Sequence, residues 1–409
     1  MASLLVNHPI LDRPDEQIRV LIYERVPGDS NILTFRWRII SPSDKDRAPF
    51  CAVSYAWSAE GDPKTIDIDG RAFPVSETVW TFLMTLPLLV DVESNAIGLF
   101  IDAICINQND PTEKGHQVRL MRSIYQSADL VICWLGIDTR EDMKTHLRTL
   151  VSLPVDRWNL IAFEAQDTEL QALEHLACNR VWTRLWIAQE LVLPQSSKLV
   201  LMYGDLEIPW AFVDVVSRGL ALIRLNMTQT SARLPAFELT TLKSGFGTAA
   251  EDYFGDPLDG TAADAYFWNP LDRWSLLFDS LPQHGCSLPL DRIYGVLGIL
   301  KFDMVVDYDI SLVELYRRVV RLMVDELFAK IEEAHSVRPG GYLVVSGSVP
   351  TFACNLAKYM GVSPESSLEL RDGRSVTVAE ILNGDDMKVT LALKEVCGAS
   401  WNDQLLREI

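Results

Sequence analysis

The sequence predicts an α/β protein built around a parallel sheet, and three stretches carry that prediction. The first is Leu99 to Gly136, where an apolar run, a polar loop, an amphipathic segment and a second apolar run follow one another. Short apolar runs without alternation suit strands covered on both faces, and strand, helix and strand of these lengths make one βαβ crossover. The second is Pro49 to Tyr55 (PFCAVSY), an apolar run expected to be the first strand of the main sheet. The third is Lys198 to Tyr203 (KLVLMY), a further strand closed by Gly204.

Ahead of this core, Gln17 to Tyr23 and Ile32 to Ile40 read as strands of a β-hairpin around a Pro27-Gly28 turn. Lys64 to Val75 alternates around Asp69-Gly70, a strong two-residue hairpin signal. Ser76 caps a helix expected from Glu77 to Leu86, disrupted at Pro87. In the central stretch, Asp102 interrupts what is otherwise an apolar strand, Leu99 to Ile106. Asp110, Pro111 and Glu113 supply an N-cap, a first-turn proline and a capping-box partner. Gln117, Leu120, Met121, Ile124, Tyr125 and Ala128 then recur at helical spacing, which puts Gln117 on the packing stripe. Helices are expected around 145–153, 156–165 and 168–178, and a longer one from Arg180 to Leu193. Trp210 to Ile223 is helical, Thr228 to Gly260 reads as an irregular insertion, and Ser311 with Glu314 opens a long helix to about Lys330. The tail offers a strand at Tyr342 to Ser346 and a hairpin turning at Asp372-Gly373.

Four segments follow: a β-rich lead-in (1–47), an α/β domain (48–205), a helical extension (206–330) and a small α+β tail (331–409). In α/β sheets, ligands bind beyond the carboxyl ends of the strands, where Asp102, Asn107 and Gln108 would sit.

Several blocks in this order resemble the heterokaryon incompatibility (HET) domain of fungal proteins. They are IDAICINQ at Ile101–Gln108 with the Gln117-Val-x-x-Met121 helix, AVSYAW at Ala52–Trp57, VWTRLWIAQE at Val181–Glu190, and DRIYGVLG at Asp291–Gly298 with Asp307-Tyr308. HET domains in turn resemble TIR domains, which implies a flavodoxin-like, TIR-like sheet flanked by helices, with the β-hairpin lead-in before it and a mostly helical C-terminal half after it. Enzymatic TIR domains cleave NAD with a glutamate in a W-x-x-x-E motif, present here as Trp186 to Glu190. The resemblance therefore implies a catalytic Glu190 that contacts ribose hydroxyls and stabilises the charge developing as the glycosidic bond breaks.

A spacing of four would place Trp182, Trp186 and Glu190 on one helical face, and an apolar wall raises a glutamate's pKa toward the range useful for acid–base work. The plainer reading is a glutamate salt-bridged to a neighbour such as Arg184. Asp102, as a buried carboxylate, must be paired or hydrogen-bonded, and either orients substrate or accepts backbone N–H groups. Asn107, Gln108 and Gln117 either bind ligand at the strand ends or brace loop to helix. Ser54, Tyr55 and Trp57 either line a nucleotide pocket, the aromatics stacking on a base, or belong to the core.

The composition narrows the choice. A net charge of −19 and a pI near 4.7 argue against a nucleic-acid partner. Seven cysteines lie scattered without paired spacing, the usage of buried thiols in a reducing compartment. No basic-then-apolar leader and no apolar run near the ~18 residues of a spanning helix is present, so no membrane and a cytoplasmic location are expected. Cys105 with His116 does not suit a nucleophile and base, because the cysteine sits in an apolar run. No metal-ligand spacing and no phosphate-binding glycine loop occurs, so no resident cofactor is expected; NAD as substrate is what the TIR resemblance implies. A homo-oligomer is compatible with the resemblance. Two other readings stay open: an enzyme acting on a small molecule in fungal secondary metabolism, and a non-catalytic signalling module that self-associates.

Overall fold

A computed structural model describes residues 8–24, 33–57, 62–89, 97–137, 141–228, 234–246, 270–337, 349–369 and 375–379. They fall into two compact units, Met1–Ala249 and Ala250–Ile409.

The first unit is organised by a nine-stranded mixed sheet. Its strands are β1 (Ile18–Glu24), β2 (Thr34–Ile40), β3 (Phe50–Tyr55), β4 (Lys64–Ile68), β5 (Arg71–Val75), β6 (Gly98–Ile101), β7 (Leu130–Gly136), β8 (Leu199–Tyr203) and β9 (Leu206–Pro209). They lie in the order β5-β4-β2-β1-β6-β3-β7-β8-β9. Four of them, β6, β3, β7 and β8, run parallel side by side, second-first-third-fourth in sequence, the order of flavodoxin-like sheets. Every residue of β3 and β6 is buried, which explains their unbroken apolar character. The hairpin β1–β2 is part of this sheet, because β1 pairs antiparallel with β6. That junction is tight: a Cβ on Gly98 would lie 2.6 Å from Val20 Cγ2. The β4–β5 turn has the expected form, with Asp69 and Gly70 both at positive φ (52° and 73°), as a type I′ turn requires.

Helices cover both faces. Helix α1 (Glu77–Leu89) runs through Pro87, where the sequence suggested an end, and its Phe82 packs edge-on against Trp134. On the opposite face lie α3 (Pro111–Ser127) and the short α7 (Ile187–Val192), which contact each other. The α3 cap forms as expected, with Asp110 accepting from Thr112 and Glu113 N–H. Glu113 does not complete a capping box. It accepts from Asn107 N–H at 2.8 Å and takes both arms of Arg19 at 2.7 and 2.9 Å. The Arg19 guanidinium also donates to the Pro9 and Cys105 carbonyls, so a fully buried cation is satisfied on every side. Further helices are α4 (Glu141–Val151), α5 (Trp158–Glu164), α6 (Asp167–Ala177) and α8 (Trp210–Thr228). A helix α9 (Pro235–Phe246) stands inside the stretch read from sequence as irregular.

Two segments differ from their sequence reading in ways that matter below. The Leu99–Ile106 strand stops at Ile101, and Asp102 begins the one-turn helix α2 (Asp102–Cys105). The expected Arg180–Leu193 helix is a 3-10 turn at Arg180–Thr183, an extended Arg184, and then α7.

The second unit is helical: α10 (Pro270–Ser280), α11 (Asp291–Tyr294), α12 (Leu297–Leu300), α13 (Leu312–Val337) and α14 (Val349–Met360), with a small antiparallel pair, β10 (Ser367–Glu369) and β11 (Ser375–Thr377). Trp274 packs against Phe278, Phe302 and Phe352 in its core. The Tyr308 hydroxyl donates to Asp291 at 2.9 Å and the Tyr294 hydroxyl to the Asp307 carbonyl at 2.8 Å. The DRIYGVLG block and Asp307-Tyr308 are thus knitted to each other as structure. The strand expected at Tyr342–Ser346 lies outside the described residues. No described helix is long and apolar enough to cross a membrane.

Candidate functional site

At the carboxyl ends of β6, β3 and β7 the chain brings two acids and one cation together. Strand periodicity decides which side chains meet there. Ser54 and Cys133 are register partners on β3 and β7 and share the face covered by α7. Glu190, on α7, points at them, and its carboxylate accepts a hydrogen bond from the Ser54 hydroxyl. The break before α7 carries Arg184 back across the strand end. Its guanidinium donates to the Tyr55 carbonyl and lies 3.8 Å from Glu190 Oε2. Asp102, first residue after β6, lies near the Tyr55 hydroxyl and the Trp57 indole, both of which favour its ionised form, and its Oδ1 accepts from Ala103 N–H at 2.7 Å.

Glu190 is 4% exposed and Asp102 9% exposed. Burial disfavours their charged forms and is the largest influence on both. For Glu190 it is opposed by Arg184 and by the hydrogen bond from Ser54, and reinforced by the Asp102 charge, leaving the carboxyl pushed up to about 7. Asp102 is raised by the same burial, with Arg184, Ala103 N–H, Tyr55 and Trp57 acting against it. The Tyr125 hydroxyl, on α3, faces Glu190 closely enough to favour its ionised form, yet it makes no hydrogen bond of good geometry. A buried polar atom of that kind next to a carboxylate marks a place where a further polar partner fits.

The sequence-predicted residues divide cleanly. Glu190, Asp102, Ser54 and Tyr55 come together, and Trp57, with 51% of its surface exposed, lies beside Asp102. Gln108 is adjacent, donating to the Asp102 carbonyl at 3.2 Å. Asn107 bonds within its loop, where its Oδ1 accepts Asn109 N–H. Gln117 donates to the Pro14 and Gln17 carbonyls, tying the lead-in to α3. Trp182 is in the core, its indole on the Leu176 carbonyl and its ring against Trp210. Trp186 is half-buried and its carbonyl receives Glu190 N–H. The expected wall of two indoles on one helical face is therefore absent. Burial among Ser54, Cys133, Tyr125 and Asp102 replaces it. Tyr125 was legible in the sequence only as a packing residue. Arg184 was legible only as a neighbour able to pair with Glu190. Among the described residues no cluster of histidine, cysteine and acidic side chains is able to hold a metal ion.

The fold and site define a class: an α/β domain with a flavodoxin-like strand order and a buried acid–arginine–acid cluster at the strand ends. Residues 50–190 match the family described as Heterokaryon incompatibility protein (HET). The chain is also 41% identical over 96 residues to Heterokaryon incompatibility protein 6, OR allele, of Neurospora crassa, an alignment covering 21% of this chain and 14% of that protein. Residues 50–190 are thus similar to the HET family, as the sequence blocks within that stretch implied, and the chain spans only a small part of that relative's length. No solved structure matches.

Proposed function

We propose that this site hydrolyses the N-glycosidic bond of NAD, releasing nicotinamide and leaving ADP-ribose. The observation that carries the reading is Glu190, a buried glutamate raised to about 7 and held at the strand ends beside Asp102 and Arg184. In such a reaction the C1′–N bond breaks and its electron pair goes to the ring nitrogen, which loses its positive charge. Water adds to C1′ and releases one proton. Glu190, ionised, accepts from the ribose hydroxyls and faces the charge developing at C1′, the logic of a glycosidase carboxylate. Two acids against one guanidinium leave a surplus of negative charge that suits a cationic ring. Asp102 orients the sugar, with Ser54 and Tyr55 beside it, and the exposed face of Trp57 is a stacking platform for a planar ring. Asn107, Gln108, Gln117, Trp182 and Trp186 do not contact the substrate in this reading; they brace the elements around the cluster. By extension from the Neurospora relative's name, the activity serves heterokaryon incompatibility, and we extend it to cell-death signalling, with self-association of the chain as part of the same reading.

Purified protein incubated with NAD, with nicotinamide release followed by chromatography, tests this. Wild type turns over, and Glu190→Gln loses about 100-fold or more in rate. One observation favours a second reading: at 4% exposure, Glu190 already has Ser54 and Arg184 as partners. Here the cluster is a core brace in a non-catalytic module that self-associates. That reading expects no turnover by folded wild type at any concentration.

A further inference from the structure

The helix that bears Glu190 is too short to hold itself in place. α7 has six residues, and a helix of that length is unstable unless neighbours fix it. Its last carbonyls have no intrahelical partners. A single side chain from α9 takes them: Lys243 Nζ donates to the Leu191 carbonyl at 2.7 Å, to Val192 at 3.3 Å and to Pro194. Leu191 and Val192 directly follow Glu190 in sequence. An ammonium has three protons, and all three have acceptors here, so this lysine has no donor left for a ligand. It is buried, and its cation also lies 5.9 Å from the Trp210 ring at the start of α8. A cation at a helix C-terminus is favourable, and burying one is tolerated only when it is fully bonded. Lys243 also lies outside residues 50–190, the segment that matches the HET family, which ends on Glu190 itself.

We infer that Lys243 is the positioning residue for Glu190, so that the working site extends beyond the HET segment into α9. Lys243 touches neither substrate nor reacting atoms. It sets where the Glu190 carboxylate stands relative to Ser54 and Arg184. The inference rests on the reading of Glu190 as the acting carboxylate, but its first test needs no turnover.

Full-length Lys243→Met is compared with wild type, each with and without Glu190→Gln, and unfolding free energy is measured across pH. The difference made by Glu190→Gln reports the titration of Glu190 in each background. The ionisable groups facing Glu190 are Arg184, Asp102, Tyr55, Tyr125 and Cys133, none of them altered. With α7 released and its carboxylate better hydrated, the Glu190 midpoint is expected to fall toward the ordinary glutamate value by about half a pH unit or more. Lys243→Arg, which restores the cation with a different fork, is expected to recover part of the shift. If Lys243→Met does not fold, Lys243→Gln, which is neutral and keeps a donor, serves the same comparison. In the second arm, kcat for nicotinamide release falls about tenfold or more while KM changes little. A folded variant with the Glu190 midpoint unmoved overturns the proposal. If folded wild type releases no nicotinamide, the hydrolase reading fails, and the titration arm still decides the role of Lys243.

Discussion

Arg184 is the residue on which the charge balance of the site turns. Two buried carboxylates face one guanidinium, 17% exposed at its side chain, so removing the cation leaves both acids without their main counterion. Arg184→Met is expected to cost about 3 to 5 kcal/mol of unfolding free energy near pH 8, the range for breaking a buried pair. The loss shrinks near pH 5, where Glu190, pushed up to about 7, takes up its proton and needs no partner. A loss equal at both pH values would contradict this charge balance. From the sequence, Glu190 and Asp102 were legible because a carboxylate in an apolar setting demands a reason. Arg184 was not legible to the same degree, because its reach to the Tyr55 carbonyl depends on a backbone break before α7 that helical periodicity hides. Tyr125 fell on the packing stripe of α3, and periodicity does not distinguish a ring that fills space from one whose hydroxyl faces an acid.

At the scale of elements, the strands were legible where burial on both faces left a nearly unbroken apolar run, as in β3, interrupted only by Ser54, and β7. Their order was not, because pairing between distant strands leaves no local mark. The β1–β6 junction is such a pairing, and it depends on the missing side chain of Gly98, whose Cβ would meet Val20 Cγ2 at 2.6 Å and Cβ at 2.9 Å. Gly98→Ala is therefore expected to destabilise the protein by about 1 to 3 kcal/mol through overpacking, measured by denaturant unfolding. An unchanged midpoint would mean that β1 moves away without cost. The reading of Asp102 as a break inside a strand missed for a related reason. Four apolar residues in Ala103–Ile106 suit a buried one-turn helix as well as they suit a strand. α9 was missed because its threonines, lysine and glycine look like loop composition, while its helix is held by packing on α7 and α8.

For the whole molecule, the two pKa directions act in separate pH windows. Glu190 binds its proton more tightly folded than unfolded, so its stabilising contribution is complete below about 4.5 and is lost as pH rises through about 7. Glu113 behaves oppositely. Arg19 and Asn107 N–H overcome its burial and hold it below the usual carboxylate range, so its contribution is present at neutral pH and is lost in acid. Between about pH 5.5 and 8, wild type should lose roughly 1 to 3 kcal/mol relative to Glu190→Gln, and a flat difference would mean that Glu190 titrates normally. The same proton governs the proposed chemistry, since the ionised carboxylate is the form that stabilises positive charge. The most direct measurement is nicotinamide release from NAD by wild type and Glu190→Gln across that pH range. The account predicts turnover by wild type that rises with pH through about 7 and a loss of about 100-fold in the variant. Equal rates for two folded proteins, or none from wild type over a wide range of protein concentration, would contradict it.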